Sequence, residues 1–306
     1  MDRRGFLGLG TALFAAGCAT GVGPGRRAWK IALNPSTLRG YGLSFRQQVE
    51  TADAAGYDGF EPWLRDLRAA KADGSLGDAV RFARDRGIAF VNGIAFGEWT
   101  NPDPARRAAG LEETKRDMAL LAEIGCPRIA ASMFGIQKPG SPSVPREAIA
   151  ERYAAVLALG REAGVRPLLE YWGHSVNLSK AEDAIWVAAQ VGDPDAAVLA
   201  DVYHTYRGGS SFETYRFLSS AVLPVLHVND YPATPAACEL KDADRVYPGD
   251  GVAPWKRIFE ILGETGARPW LSLELFNESY WRTTPLETAR TGLAKTCVAA
   301  EHALTS

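Results

Sequence analysis

Eight short apolar runs of strand length recur along the chain and alternate with segments of helical periodicity. The runs are residues 30–33, 59–62, 89–94, 128–132, 167–171, 197–201, 225–229 and 271–275. Several of them are apolar throughout rather than alternating, which is typical of parallel strands that helices cover on both faces. Because eight such units in series close most naturally into a ring, the pattern predicts a single (β/α)8 barrel of the α/β class.

The segments between these runs have the amphipathic pattern of helices. The clearest are residues 45–55, 76–86, 112–124, 146–163 and 254–265. Several of them are followed by a glycine, for example at Gly56, Gly87, Gly125 and Gly164, and glycine commonly stands where a helix ends. The helices and strands therefore alternate as the barrel requires.

An open, doubly wound sheet is the alternative architecture. Such a sheet usually carries a glycine-rich phosphate-binding loop after its first strand. Residues 33–37, with the sequence Leu-Asn-Pro-Ser-Thr, contain no glycine. This stretch therefore favours the barrel.

The first residues have the pattern of an export signal rather than of a folded element. Arg3 and Arg4 precede an apolar stretch over residues 7–16 that is too short to span a bilayer, and together they resemble a twin-arginine export signal. Small residues then lead into Cys18, which resembles a lipoprotein processing site, although Ala15 stands where such sites usually have leucine. A fortuitous basic and apolar leader is the alternative.

We therefore expect three parts in the chain. They are an export signal over residues 1–18, a spacer over residues 19–28 and the barrel over residues 29–306. This division predicts a periplasmic protein that is exported by the twin-arginine route. Its contact with the membrane would be a lipid anchor on Cys18.

The overall charge and the cysteines argue against some classes of protein. The 34 basic and 36 acidic residues leave a formal net charge of -2, without the basic excess that nucleic-acid binding usually leaves. Cys126, Cys238 and Cys297 are widely spaced, so neither a disulfide framework nor a cysteine-based zinc site is indicated. The expected partner is a small molecule, with no nucleic acid, and formation of a homo-oligomer stays open.

Four successive strands end in residues that commonly bind metal ions, namely Glu170, Asp201, His227 and Glu274. In an eight-stranded barrel the active site lies at the C-terminal ends of the strands. Each group alone could cap a loop or form an ion pair, but one shared cation would satisfy all four. Three carboxylates and an imidazole favour one divalent metal ion, with Mn²⁺ first and Mg²⁺, Co²⁺ or Zn²⁺ as alternatives.

Other residues at or after the strand ends are candidates to contact a substrate. They are Glu61, Trp63, Trp172, His174, His204 and Asp230. Asp230 could alternatively orient the imidazole of His227, three residues earlier. The tryptophan rings could cover the C–H faces of a sugar and exclude water. Each residue also has a structural alternative, either a hydrogen bond within a loop or packing in the core.

Five short motifs together resemble the xylose-isomerase-like barrel superfamily. They are Glu170, Asp201-x-x-His204, His227-x-x-Asp230, Arg245-x-x-Pro248-Gly249-Asp250-Gly251 and Ser272-x-Glu274. Each motif is weak alone, but their order and spacing are fairly specific and cover essentially the whole mature chain. Within the sugar-phosphate isomerase and epimerase family, residues 273–277 with Tyr280 and Trp281 are most similar to the branch that contains the inosose isomerases.

The resemblance implies a divalent-metal-dependent isomerase or epimerase of a free sugar, a keto-sugar or a cyclitol. Glu170 and Glu274 would bind the cation and also act as the acid/base pair, removing a proton next to a carbonyl to form an enediolate. His204 and Arg245 would hold substrate oxygens, and Arg207 is a further candidate contact. Because sugar phosphates are mainly cytosolic, the predicted export favours an unphosphorylated substrate.

Three other functions fit parts of this pattern. A dehydratase or lyase could use the same groups to eliminate water from a keto-cyclitol or to cleave a keto-glycoside, with His174 or His204 as the acid. A non-catalytic sugar-binding lipoprotein would lack a ligand or an acid/base partner, whereas all four ligand positions are filled here. A DNA-repair nuclease of the same superfamily would need histidines on early strands, and none precedes His174.

The predicted export signal can be tested by substitution. Replacing Arg3 and Arg4 with lysine should retain the protein in the cytoplasm of a bacterial host, because the export machinery reads the arginine pair. Cell fractionation measures the distribution. The Cys18→Ala variant, with both arginines intact, should still be exported but should lose a metabolically incorporated fatty-acid label. Export of the lysine variant at the rate of the parent chain would contradict the prediction.

Overall fold

The computed structural model describes residues 27–302. The predicted export signal over residues 1–18, with Cys18, and most of the spacer over residues 19–28 lie outside the described residues. Export and lipidation therefore stay predictions. Within the described part of the chain, no helix is both long and apolar enough to cross a bilayer.

Eight parallel strands form the sheet, and each coincides with one of the runs predicted from the sequence. They are β1 Ile31–Leu33, β2 Gly59–Phe60, β3 Ala89–Phe90, β4 Arg128–Ala131, β5 Arg166–Glu170, β6 Val198–Asp201, β7 Val225–Val228 and β8 Trp270–Leu273. Their order in the sheet is β3-β2-β1-β8-β7-β6-β5-β4. The predicted (β/α)8 barrel is confirmed.

The described residues also form nine α-helices. These are α1 Phe45–Ala55, α2 Leu64–Ala72, α3 Leu76–Arg86, α4 Pro104–Glu123, α5 Arg146–Ala163, α6 Ala181–Val191, α7 Val202–Arg207, α8 Trp255–Thr265 and α9 Pro285–His302. The helices α1, α3 and α5 have the predicted bounds. Helix α4 begins at Pro104 rather than at residue 112, because the side chain of Asp103 accepts hydrogen bonds from the backbone of Ala105 and Arg106 and caps the helix there.

The ring closes between β3 and β4 through a short parallel bridge that follows β3. The N–H of Gly93 donates to the carbonyl of Arg128 at 2.9 Å, and the carbonyl of Gly93 accepts from Ala130 at 2.8 Å. A Cβ atom at Gly93 would lie 2.5 Å from Leu121 of α4 and 3.0 Å from Leu64 of α2. Glycine therefore allows these two helices to pack directly against the closing bridge.

The interior of the barrel is filled by a small apolar cluster. It consists of Trp63, Ile94, Ala130, Leu168, Ala197, Leu199 and Val225. Leu168, Leu199 and Val225 each stand two residues before a predicted metal ligand. Because side chains two positions apart on a strand point to the same face, the ligands lie on this inner face, at the C-terminal end of the barrel.

The three cysteines that the structure describes are unpaired, as their spacing predicts. Cys126 is buried, and burial raises the pKa of its thiol to about 12. Cys297 is half-buried in α9, and Cys238 is exposed. The barrel is therefore held by its apolar core without disulfide bonds among the described residues.

The closing bridge predicts a difference between two glycine substitutions. Gly93→Ala should lower the free energy of unfolding by about 1–3 kcal/mol, because the added methyl group overpacks the contact with α4. Gly77→Ala is the matched control, since its Cβ would meet nothing nearer than 3.5 Å in α3. We expect it to be neutral or stabilising by about 0.5–1 kcal/mol. Urea denaturation measures the free energy of unfolding of both variants. Equal changes in the two variants would contradict the tight packing of α4 against Gly93.

Candidate functional site

A cavity of about 180 Å³ opens at the C-terminal ends of the strands. Its apolar wall consists of Trp63, Ile94, Phe96, Trp172 and Phe276, and its ionisable lining consists of Glu170, His174, His204, Asp242, Arg245 and Glu274. Seven of the predicted site residues are in this lining, namely Trp63, Glu170, Trp172, His174, His204, Arg245 and Glu274. Such a cavity offers an apolar face to C–H groups and hydrogen-bonding groups to hydroxyls or carbonyls.

The structure brings three of the four predicted metal ligands together at the base of this cavity, with the fourth, Glu170, beside them. Nδ1 of His227 lies 3.2 Å from Oε2 of Glu274 and 3.5 Å from Oδ2 of Asp201. The ligand atoms of these three residues are close enough to share one ion. Oε1 of Glu170 lies beside them, 3.9 Å from the same nitrogen.

The hydrogen bonds of His227 leave one ring nitrogen available to a metal ion. Nε2 lies 3.0 Å from Oε1 of Glu61, while Nδ1 is buried and makes no hydrogen bond. Buried polar atoms without a partner are uncommon, and metal-bound histidines typically donate their other ring N–H to a carboxylate. An unpartnered nitrogen surrounded by carboxylates therefore fits a divalent cation.

Glu61 lies beneath the cluster rather than against a substrate. Its carboxylate is fully buried and accepts hydrogen bonds from the side chains of Asn34, Asn92 and Ser272 in addition to His227. Burial raises its pKa, but the contact with His227 more than offsets this and holds the pKa below its ordinary value. The predicted substrate contact of Glu61 is therefore wrong, and the residue orients the imidazole instead.

The electrostatics of the cluster favour an added positive charge. Burial lowers the pKa of His227, but the carboxylates of Glu274 and Glu61 more than offset this and raise it well above its ordinary value. Burial, together with the nearby charge of Glu274, raises the pKa of Glu170 to about 8. The raised pKa of His227 reflects an excess of negative charge around its ring, which a divalent cation would relieve.

Arg245 is the guanidinium in the lining of the cavity, and it brings a positive charge to this site. Its Nη1 donates to Oδ2 of Asp201 at 3.0 Å and to Oε2 of Glu274 at 2.9 Å. Its Nη2 donates to Oδ1 of Asp242 at 2.8 Å. Although burial raises the pKa of Asp201, the guanidinium holds it well below its usual range. Arg245 thus keeps carboxylates ionised at the base and at the mouth of the cavity.

His204 lies between this guanidinium and the β5 loop. Its Nε2 is 3.1 Å from Nη2 of Arg245, and its Nδ1 accepts from the backbone of Gly173 at 3.2 Å. Burial, with the guanidinium, lowers its pKa to about 3, so the ring is neutral at pH 7. His174, His204 and Asp242 are also close enough to share an ion. There, however, the guanidinium already contacts two of the three groups.

Asp230 is not part of the cavity. Its Oδ1 accepts from the backbone N–H groups of Tyr231 and Ala253. Its Oδ2 accepts from the N–H of Gly249 and from the indole of Trp255. The predicted contact with substrate or with the neighbouring imidazole is wrong, because both oxygens are used to fold the segment between β7 and α8.

Arg207 also lies outside the cavity lining. Its guanidinium donates to the backbone carbonyls of Cys238 and Leu240. These bonds tie α7 to the loop that follows β7. In the structure Arg207 therefore holds this loop, and its contact with a substrate stays a prediction.

Three polar residues of the site were not predicted from the sequence. Asn34 donates to Oε1 of Glu274 at 3.2 Å, and Asn229 donates to Oδ2 of Asp201 at 3.1 Å. Both follow a strand directly, so the rule that found the charged ligands would have found them had amides been included. Asp242 lies in a short 3-10 turn of a loop, where no strand pattern marks it.

The family of the chain follows from comparison with known proteins. Residues 49–297 match the model of the xylose isomerase-like TIM barrel family. The match covers most of the chain, and the chain belongs to this family. The resemblance inferred from the motifs is confirmed.

Individual relatives indicate which types of enzyme within this family the chain is similar to. The inosose isomerase of Bacillus velezensis is 25% identical over 252 residues, which are 81% of this chain and 89% of that enzyme. The 3-dehydroshikimate dehydratase of Pseudomonas putida is 24% identical over 257 residues, which are 81% of this chain but 38% of that enzyme. The crystal structure of the IolI protein with bound zinc superposes with a TM-score of 0.82 at 21% identity, covering 90% of this chain and 100% of that one. The comparisons support membership of a family of sugar and cyclitol isomerases and epimerases.

The position of Glu61 predicts that it controls metal affinity. Glu61→Gln should weaken the binding of Mn²⁺ or Zn²⁺ by about 10- to 100-fold, because the imidazole loses the carboxylate that orients it and strengthens it as a ligand. Isothermal titration calorimetry on metal-stripped protein measures the dissociation constant.

Asp117→Asn is the matched control for this substitution. Asp117 is another buried carboxylate, but it pairs with Arg68 away from the cavity. This variant should bind the metal as the parent chain does. If Glu61→Gln folds and binds the metal with parental affinity, the assigned role of Glu61 is wrong.

Proposed function

We propose that this protein is a divalent-metal-dependent isomerase or epimerase of an uncharged keto-sugar or keto-cyclitol. The observation that carries the proposal is the unpartnered Nδ1 of His227, which faces three buried carboxylates at the base of an aromatic-walled cavity. The sugar and cyclitol class of the relatives supports the type of substrate. The volume of the cavity suits a single sugar or cyclitol ring.

The cation would be held by Glu170, Asp201, His227 and Glu274. When bound, it would stabilise negative charge that develops on a substrate oxygen during proton removal. The oxygen-rich donor set favours Mn²⁺, Mg²⁺ or Co²⁺. The zinc in the IolI structure supports Zn²⁺ as a further candidate.

Glu170 and Glu274 are the residues that would move the proton. Both line the cavity, so both can reach the carbon next to a substrate carbonyl. In the metal-free site burial raises the pKa of Glu170 to about 8, and a bound cation would lower it and leave the carboxylate ionised to accept a proton. Return of the proton to the same carbon gives epimerisation, and its delivery to the neighbouring carbon gives isomerisation.

The other residues of the lining would bind and shield the substrate. His204 is neutral at pH 7 and can hydrogen-bond a hydroxyl or a carbonyl oxygen. The rings of Trp63 and Trp172, joined by Phe96 between them, cover one side of the cavity. Such a wall would pack on the C–H face of a sugar ring and exclude water from the reacting carbon.

A dehydratase is the second candidate function. It is favoured by His174 in the cavity lining, whose imidazole could protonate a leaving hydroxyl. His204, the other acid considered from the sequence, is neutral at pH 7 and would instead bind a substrate oxygen. The relationship to the Pseudomonas enzyme supports this alternative. Both reactions begin with removal of a proton next to a carbonyl, so the fate of the substrate distinguishes them.

The location of the enzyme belongs to the same proposal. The sequence of residues 1–18 supports export to the periplasm and anchoring by a lipid on Cys18. An exported enzyme would meet free sugars and cyclitols rather than their phosphates.

Proton exchange in heavy water tests the proposed reaction. Metal-loaded protein incubated with inosose and a panel of keto-sugars should introduce deuterium next to the carbonyl of its substrate, with interconversion of isomers measured by NMR and mass spectrometry. Glu170→Gln and Glu274→Gln should each lower the exchange rate by at least about 100-fold, because each removes a proton carrier. Glu239→Gln, an exposed change outside the cavity, should leave the rate unchanged.

The outcomes separate the candidate functions. Loss of water from the substrate would replace the isomerase by the dehydratase. Tight binding without exchange across the panel would contradict catalysis and would indicate a sugar-binding protein.

A further inference from the structure

The guanidinium of Arg245 has no pair of donors left for an anionic ligand. Nη1 donates to Asp201 and Glu274, and Nη2 donates to Asp242 and also lies against Nε2 of His204. The remaining donor, Nε, is buried and has no partner. A carboxylate or phosphate is bound strongly by arginine when two parallel N–H groups face its two oxygens. A single buried N–H cannot provide that geometry.

The charge of the cavity is negative. Among the residues that line it, Glu170, Asp242 and Glu274 are acidic, and Arg245 is the one guanidinium. Asp201 adds a fourth carboxylate directly behind the lining. With the divalent cation of the proposed function bound and these four carboxylates ionised, the site would still hold an excess of negative charge, to which ionised Glu61 beneath the cluster adds.

Asp242 places part of this negative charge where a ligand enters. It begins the 3-10 turn Asp242–Asp244 in the loop after β7. Its side chain is 42% exposed, whereas the side chains of Asp201 and Glu274 are 0% and 7% exposed. Burial raises its pKa, but Arg245 more than offsets this and lowers it. An incoming molecule therefore meets an ionised carboxylate at the mouth of the cavity.

We propose that Asp242 is a specificity-determining residue that makes this site reject anionic substrates. It occupies the outer edge of Arg245 and adds a negative charge at the mouth, so uncharged keto-sugars and keto-cyclitols enter while carboxylated or phosphorylated ones are repelled. The inference rests on the proposed function for the reaction itself. Rejection of anions would distinguish this chain from the dehydratase relative, whose substrate 3-dehydroshikimate carries a carboxylate.

The test compares the affinities of one uncharged and one anionic probe. Mn²⁺-loaded parent protein, Asp242→Asn and Glu239→Gln are each titrated with inosose and with 3-dehydroshikimate, and the ratio of the two dissociation constants is taken for each chain. Asparagine keeps an oxygen that can accept from Arg245 but removes the charge. Glu239 is exposed on the same loop outside the cavity lining, so its variant removes an equal charge at a distance from the site.

The parent should bind inosose more tightly than 3-dehydroshikimate. Asp242→Asn should shift the ratio toward the anion by about tenfold, the scale expected when a like charge facing a ligand is removed. Glu239→Gln should leave the ratio unchanged. The two probes also differ in shape. The test therefore depends on the change in the ratio of dissociation constants between the parent and the variants, and not on the value of the ratio in one of them.

The results distinguish a failure of the role proposed for Asp242 from a failure of the proposed function. A ratio that does not move in Asp242→Asn, or that moves equally in Glu239→Gln, overturns the role of Asp242 even if the parent isomerises inosose. A ratio that moves as expected supports the role of Asp242 even if the parent turns over neither probe.

Discussion

The orientation of a single imidazole ring organises the site. Because Nε2 of His227 is held by Glu61 at 3.0 Å, Nδ1 must face the carboxylates at the base of the cavity. Glu61 is fixed in turn by hydrogen bonds from Asn34, Asn92 and Ser272. Asn34 follows β1, Asn92 follows β3 and Ser272 lies in β8, so the pairing of neighbouring strands sets the imidazole nitrogen in place. Without the imidazole, Arg245 alone would offset the charge of the buried carboxylates.

Arg245 balances the same charges from the other side. It reaches the carboxylates of Asp201 and Glu274 at the base of the cavity and that of Asp242 at its mouth. Among the described residues, the guanidinium of Arg245 lies beside the carboxylates of Asp201, Asp242 and Glu274. The proposed divalent cation would add a second positive group to them. This balance is suited to chemistry in which negative charge develops on a substrate oxygen, since the positive groups are already oriented before the reaction.

The fold and the clustering of the candidate ligands could be predicted because both follow from a simple period. Apolar runs of strand length identified all eight strands, and three of the four candidate ligands point along the same inner face as the apolar residue two positions earlier. These three are Glu170, Asp201 and His227. Glu274 lies one residue beyond β8, and the residue two positions before it, Ser272, is polar.

Residues whose roles depend on loop conformation or depth could not be predicted in this way. Glu61 also follows a strand, but its side chain lies one layer below the cavity, and no sequence pattern encodes that depth. Asp230 follows β7 closely, yet its own loop folds back and takes up both oxygens. Asp242 reaches the cavity only because a turn far from any strand end places it beside Arg245.

Anomalous X-ray diffraction from crystals grown with Mn²⁺ would locate the proposed cation. We predict a single strong peak bonded to Nδ1 of His227 and to the carboxylates of Asp201 and Glu274, at ligand distances of about 2.0–2.3 Å, with Glu170 completing the set. A peak between His174, His204 and Asp242, or no peak within bonding distance of His227, would contradict this prediction.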